Sequence, residues 1–149
     1  MRTKTKRTKN IILTLATAFV MFAFSSCATK AIFLSSAVVP AAQGTVTVKE
    51  DGNKNYTIKV QINNLADSKN LTPPKNVYVV WLLPENNNPK NIGQIVSSTG
   101  KMSSKLKASF QTVSSFKPSR IFITAEDEAN VQYPYSEVVL TTDFIQIKD

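Results

Sequence analysis

Few side chains in this sequence have the chemistry needed for catalysis or metal binding. The chain has one cysteine, Cys27, and no histidine, and its acidic residues cluster only at Glu126, Asp127 and Glu128. The absence of histidine excludes imidazole metal ligands and Ser-His-Asp or Cys-His catalysis. A single cysteine also excludes intrachain disulfides and Cys-cluster metal sites. We therefore expect no catalytic residue, no metal and no cofactor.

The acidic cluster has three interpretations. Its carboxylates could form part of a calcium site or a pair for glycoside chemistry. However, neighbouring residues on one loop cannot place two carboxylates across a scissile bond. We favour an exposed loop at a strand end, in which Glu126, Asp127 and Glu128, together with Tyr133 and Tyr135, contact a partner.

Two other function classes remain as alternatives. Ser103, Ser104 and Lys105 supply the residue types of a Ser-Lys hydrolase, but their spacing is not distinctive. A small-molecule carrier would need a pocket between the layers of the fold. We expect a protein that is not an enzyme, with a hydrolase or a carrier as the alternative.

The amino terminus has the pattern of a secretory signal peptide over residues 1–26. A charge-free apolar stretch of fourteen residues, Ile11–Phe24, follows five basic residues: Arg2, Lys4, Lys6, Arg7 and Lys9. This stretch is shorter than the roughly 20 residues of a membrane-spanning helix. Without those five basic residues, the formal net charge falls from +8 to +3. The basic composition therefore gives no support for nucleic-acid binding.

The end of this signal resembles the lipobox of bacterial lipoproteins. It reads Phe24-Ser25-Ser26-Cys27, an apolar residue and two small residues before the cysteine. The resemblance implies cleavage between Ser26 and Cys27, a diacylglycerol on the Cys27 thiol, and palmitate or another fatty acid on the new amino group. By the same resemblance to Gram-negative lipoproteins, an aspartate after the cysteine would imply retention in the inner membrane, and Ala28 implies none. We expect a lipid anchor in the outer membrane, with the protein facing the periplasm.

The mature chain has the pattern of an all-β protein. Tyr56–Asn63 alternates apolar and polar residues, and Val77–Leu83 is apolar on both faces, as in a central strand. About seven short strands separated by turns predict a single immunoglobulin-like antiparallel β-sandwich. We expect the lipidated cysteine and a tether over residues 27–43, with the tether running into a first edge segment, and the sandwich over residues 44–149.

The alternation also predicts the core. We expect Trp81, on the third main strand, to fill the space between the two sheets. The other expected core residues come from the same strand and two others: Tyr56, Ile58, Val60, Val79, Ile121 and Ile123.

The order of several short motifs resembles the extracytoplasmic domain of anti-sigma-K factors. These motifs are Tyr78–Leu82, Asn91–Gln94, Ile121–Glu126, Tyr133-Pro134 and Val138–Leu140, within residues 38–143. The resemblance implies an immunoglobulin-like sandwich and a sensing or interaction role. It does not imply anti-sigma activity, because the family's sigma-binding domain and membrane-spanning helix have no counterpart here.

Together these patterns predict a non-catalytic lipoprotein of the cell envelope that presents one β-sandwich for interaction or sensing. Its expected partners are the membrane, through the lipid anchor, and a protein or an envelope polymer. The contact is expected to come from three loops: Leu65–Asn76, Glu85–Lys90 and Asp127–Tyr135.

Overall fold

The computed structural model describes residues 28–86, 88–99 and 106–147, which form two antiparallel β-sheets. The strands are β1 (Ala28–Ile32), β2 (Gln43–Glu50), β3 (Tyr56–Asn63), β4 (Val77–Pro84), β5 (Lys90–Ile95), β6 (Ser98–Thr99), β7 (Leu106–Ser114), β8 (Pro118–Glu126) and β9 (Val138–Thr141). One 3₁₀ turn spans Ser68–Asn70. The expected signal peptide, its Ser26–Cys27 junction and the Ser103–Lys105 motif lie outside the described residues.

The strand order is that of an immunoglobulin-like sandwich. One sheet has the order β1-β2-β3-β7-β6 and the other has β5-β4-β8-β9. Strands β2, β3, β7 and β6 therefore occupy the positions A, B, E and D, while β5, β4, β8 and β9 occupy C′, C, F and G. The predicted all-β sandwich is confirmed. An edge segment was expected before residue 44, but the pairing of β1 from Ala28 onward and the two-residue β6 were not.

Alternation along β3 shows how the sequence forms this sheet. Tyr56, Ile58, Val60 and Ile62 are buried, and the residues between them point away from the core. The hairpin before β3 is closed by Asp51, whose Oδ1 accepts hydrogen bonds from Asn53 N at 2.8 Å and Asn55 N at 2.9 Å. These backbone donors lower the pKa of Asp51, because they stabilise its charged form.

The inter-sheet core contains side chains from both sheets. Ile58, Val60, Ile121 and Ile123 are fully buried there, and Tyr56 is 5% exposed, as predicted. The core is completed by other residues of both sheets and the adjoining loops: Phe33, Val39, Ala42, Val46, Val48, Ile62, Leu65, Tyr78, Val80, Leu82, Ile95, Ala108, Ala125, Val139, Leu140 and Ile145.

The predicted position of Trp81 between the sheets is wrong. Trp81 is fully buried, but with Val79 and Phe122 it forms a second apolar cluster, separate from the inter-sheet core. Tyr78, Val80 and Leu82 face the inter-sheet core, so the residues that alternate with them point to the opposite face of the sheet. We call Val79, Trp81 and Phe122 the outer cluster.

The expected tether is also wrong for the residues that follow Cys27, because Ala28–Ile32 forms the edge strand β1. This strand pairs with β2 from Ala28 opposite Lys49 to Ile32 opposite Thr45. Phe33 continues into the core, where its ring packs close to Gly44. A Cβ atom at Gly44 would lie 2.6 Å from the Gln61 carbonyl oxygen and 3.0 Å from that ring, so only glycine fits. Residues 28–32, which were expected to be tether, therefore belong to the sandwich.

The closing strand β9 is short, four residues from Val138 to Thr141. β9 ends at Thr141, and the chain continues along the start of β8 through backbone hydrogen bonds from Thr142 N to Ile121 O and from Ile145 N to Ser119 O. In the described part of the chain, no helix is long and apolar enough to cross a membrane.

Candidate functional site

The most elaborate polar structure of the described chain lies on the outward face of the sheet formed by β5, β4, β8 and β9. The loop between β8 and β9 packs on this face, and Val131 within it contacts the outer cluster. We call residues 127–137 the covering loop. The Trp81 and Phe122 rings stack beneath it, with centroids 6.1 Å apart and an interplanar angle of 10°. The covering loop therefore shields an apolar surface that would otherwise face water.

A buried chain of hydrogen bonds leads from the outer cluster to a carboxylate. Trp81 Nε1 donates to Thr124 Oγ1 at 2.9 Å, and Thr124 Oγ1 donates to Glu126 Oε1 at 2.7 Å. Thr124 and Glu126 lie two residues apart in β8, so their side chains share a face. Thr124 is fully buried and Glu126 is 2% exposed. Both polar groups are therefore satisfied within the protein, as burial requires.

The same carboxylate holds the end of the covering loop. Glu126 Oε1 accepts hydrogen bonds from Tyr135 N at 3.2 Å and Ser136 N at 3.3 Å, and its Oε2 accepts one from Ser136 Oγ at 3.1 Å. Glu126 therefore positions the loop. Its predicted role in partner contact is wrong, because a carboxylate with this little exposure cannot reach a partner.

The start and middle of the covering loop are fixed by two residues just before β4 and by one residue of β5. Lys75 Nζ and Asp127 Oδ2 form an ion pair at 2.8 Å, and Asn76 Nδ2 donates to Asp127 O at 3.0 Å. Asn91 Nδ2 donates to both Ala129 O and Val131 O at 2.9 Å. Because Asp127 is largely exposed, its ion pair adds little stability. The buried end at Glu126 and the Asn91 side chain determine the loop path.

The other predicted contact residues lie on the outside of this loop. Tyr133 is 58% exposed, Tyr135 is 77% exposed, and Glu128 is also exposed. Beside Tyr133 is a shallow cleft of about 360 Å³, lined by the turn after β4 and the middle of the loop: Asn88, Pro89, Lys90, Asn91, Asn130, Val131, Gln132 and Tyr133. The structure thus places two of the three predicted contact loops side by side at this cleft. The third, Leu65–Asn76, meets the covering loop through Lys75.

The sequence patterns did not indicate Thr124, Asn76, Asn91 or Ser136. Asn76, Asn91 and Ser136 take part in the contacts that hold the loop, and Thr124 hydrogen-bonds Glu126 beneath it. One available signal was the Thr-x-Glu spacing in β8, which puts Thr124 and Glu126 on the same face as Phe122. Phe122 is a large aromatic residue on that outward face of β8, so another part of the chain is expected to cover the face. Asn76 and Asn91 contact the loop from other segments, and Ser136 contacts Glu126 from ten residues further along the chain, so no local sequence pattern indicates these contacts.

Among the described residues, no group of three or more Cys, Asp or Glu side chains could hold a metal ion. Comparison of the chain with family models, with curated proteins and with solved structures finds no match. The site is therefore interpreted from its own geometry.

Proposed function

We propose that this protein is a non-catalytic lipoprotein of the cell envelope that binds a protein or an envelope polymer through the covering loop. The observation that carries the proposal is the attachment of Tyr135: its side chain is exposed while its backbone N–H is held by the buried Glu126. An exposed aromatic residue on a fixed backbone offers a large contact area at a small cost in conformational entropy. Tyr133 lies on the same loop, beside the cleft.

The carboxylates favour binding over hydrolysis. Glu126 is occupied by four hydrogen-bond donors, and Asp127 by Lys75. Neither presents a free acid or base to a substrate. A carrier is disfavoured for a different reason, because side chains from both sheets fill the layer between them.

The anchoring part of the proposal rests on the Phe24–Cys27 motif. Diacylglycerol on Cys27, together with an acylated amino terminus, supplies the two or more acyl chains that stable membrane attachment requires. With Ala28 after the cysteine, the proposed location is the outer membrane, facing the periplasm. One version of the function is accessory sensing beside a signalling system, in keeping with the resemblance to anti-sigma-K factors.

Site-specific photo-cross-linking in intact cells tests the binding proposal. A photoreactive amino acid is placed at Tyr133, at Tyr135, or at Gln111, an exposed control residue in β7 of the other sheet. We expect the same cross-linked product from both loop positions and not from Gln111. Its yield should fall in a Glu126→Ala background, where the loop loses its attachment. Equal products from all three positions would contradict a binding role for the loop.

Incorporation of labelled palmitate tests the anchoring proposal independently. We expect label in the wild-type protein and none in a Cys27→Ala variant. Label that persists in the variant would show that Cys27 is not the lipidation site.

A further inference from the structure

The position of β1 determines which end of the sandwich is nearest to Cys27. Ala28 pairs with Lys49, Lys49 with Thr57, and Thr57 with Val113, so all four residues lie at one level across the sheet. This level is close to one end of the sandwich. We call it the near end; it includes the β2–β3 hairpin, the β4–β5 turn and the β7–β8 corner.

No spacer separates Cys27 from this end. Cys27 directly precedes Ala28 in the sequence, and Ala28 already pairs with Lys49. The expected tether over residues 28–43 could have extended to about 55 Å. The paired strand instead begins at Ala28. A lipid on Cys27 therefore holds the near end directly at the membrane surface.

The near end carries two exposed phenylalanines, each beside a cation. Phe116, in the β7–β8 corner, is 47% exposed, and Lys90 Nζ lies 5.5 Å from its ring centroid. Phe144 is 66% exposed, and Arg120 Cζ lies 4.4 Å from its ring centroid. Arg120 Nε is buried and has no hydrogen-bond partner among the described groups.

Backbone contacts place both phenylalanines at this end. Phe116 follows Ser114, which pairs with Tyr56 one step beyond the level of Ala28. Ser114 lies in β7, which is three strand spacings from β1 in this sheet. With about 4.8 Å between neighbouring strands, it is roughly 14 Å from β1 across the sheet. Phe144 is held there by the hydrogen bond from Ile145 N to Ser119 O at 2.8 Å, at the start of β8.

We infer that the near end docks on a phospholipid surface. The inference rests on the proposed lipidation of Cys27 and adds an orientation to it. Phe116 and Phe144 enter the boundary between headgroups and acyl chains, while Lys90 and Arg120 remain at the level of the lipid phosphates. The Leu65–Asn76 loop, at the opposite end, then points away from the membrane.

Environment-sensitive labelling of the full-length, lipidated protein in phospholipid vesicles tests this docking. Because Cys27 is the only cysteine and its thiol carries the lipid, a second cysteine provides a unique site for a nitrobenzoxadiazole label. The positions are Phe116→Cys and Phe144→Cys, made singly, with Val96→Cys as an exposed control just after β5, at the opposite end. The vesicles contain phosphatidylethanolamine and phosphatidylglycerol, with and without a lipid that carries a doxyl quencher.

We expect the labels at positions 116 and 144 to shift their emission to shorter wavelength and to be quenched by the doxyl lipid at least two-fold more than the label at position 96. Equal quenching at all three positions, in protein that floats with the vesicles, would overturn the docking and leave the anchor intact. Labels at positions 116 and 144 that are shielded from an aqueous quencher but not quenched by doxyl lipid would also overturn it, since another protein surface then covers the near end. Protein that is not acylated and does not float would instead refute the proposed lipidation, and the docking with it.

Discussion

Glu126→Ala is the substitution that tests the organisation of the site most sharply. It removes the acceptor of four hydrogen bonds, which come from Thr124 Oγ1, Tyr135 N, Ser136 N and Ser136 Oγ. The Thr124 hydroxyl loses its acceptor at a fully buried position, and water reaches it only where the loop opens. The other three donors belong to the covering loop, which can move into water. The loop should therefore detach while the two sheets stay together.

The expected loss of stability follows from these contacts. One buried donor left unsatisfied costs about 1–3 kcal/mol, and each of the three loop hydrogen bonds contributes about 0.5–1.5 kcal/mol net. Removing the carboxylate also relieves its own desolvation, which offsets part of this loss. We expect the free energy of unfolding to fall by about 2–4 kcal/mol, on the order of 10 °C in melting temperature.

Urea unfolding followed by far-UV circular dichroism measures this change, and limited proteolysis reports on the loop. Glu128→Ala is the matched control, because Glu128 is an exposed acid two residues away. We expect the control to stay within about 0.5 kcal/mol of wild type and to resist cleavage in residues 127–137. The free energy of unfolding of Glu126→Gln should lie between those of Glu126→Ala and Glu128→Ala, because glutamine keeps one acceptor oxygen. A Glu126→Ala protein as stable as the control would refute the assigned role.

Three further substitutions test other parts of the fold. Trp81→Ala should lower the free energy of unfolding by about 3–5 kcal/mol in urea titrations, because the indole is fully buried; a wild-type transition would refute the outer cluster. Gly93→Ala should lower the free energy of unfolding by about 2 kcal/mol or more in the same assay, because its φ is +137° and the new Cβ would lie 2.6 Å from the Phe110 ring. Gly52→Ala is the control: its new Cβ meets no atom within 4 Å, so its stability should be nearly unchanged. Burial raises the pKa of Tyr78 to about 12. The stabilisation from its neutral phenol is therefore complete below pH 10 and lost as the pH rises toward 12. In Tyr78→Phe, the free energy of unfolding should depend less on pH between 10 and 12 than in the wild type.

The strands with one buried face could be predicted closely from the sequence. β3 has the predicted bounds, Tyr56–Asn63, because its alternation records which side chains meet the core. β1 could not be recognised in the same way. Its sequence is Ala-Thr-Lys-Ala-Ile, which has no clear apolar alternation. Its pairing with β2 also depends on Gly44 within β2 and on Phe33, which follows β1.

The site was harder to predict than the fold, for two physical reasons. Val77–Leu83 is apolar on both faces, so the pattern cannot show which face holds Trp81. An acidic residue next to two others indicates a solvated loop, yet Glu126 is buried because Tyr135 and Ser136 return to it nine and ten residues later. The hydrogen-bond partners of Glu126 depend on how the loop folds back, and a local pattern of apolar and polar residues does not show this. The exposure of Tyr133 and Tyr135 could be predicted, because aromatic residues in a polar loop have no core to enter.

The mass of the mature amino terminus, measured on protein purified from its own cells, tests the central claim most directly. The account predicts an amino-terminal peptide that begins at Cys27, with a diacylglycerol on the thiol and a fatty acid on the amino group. A peptide that begins elsewhere, or an unmodified Cys27 in protein recovered from the culture medium, would contradict it.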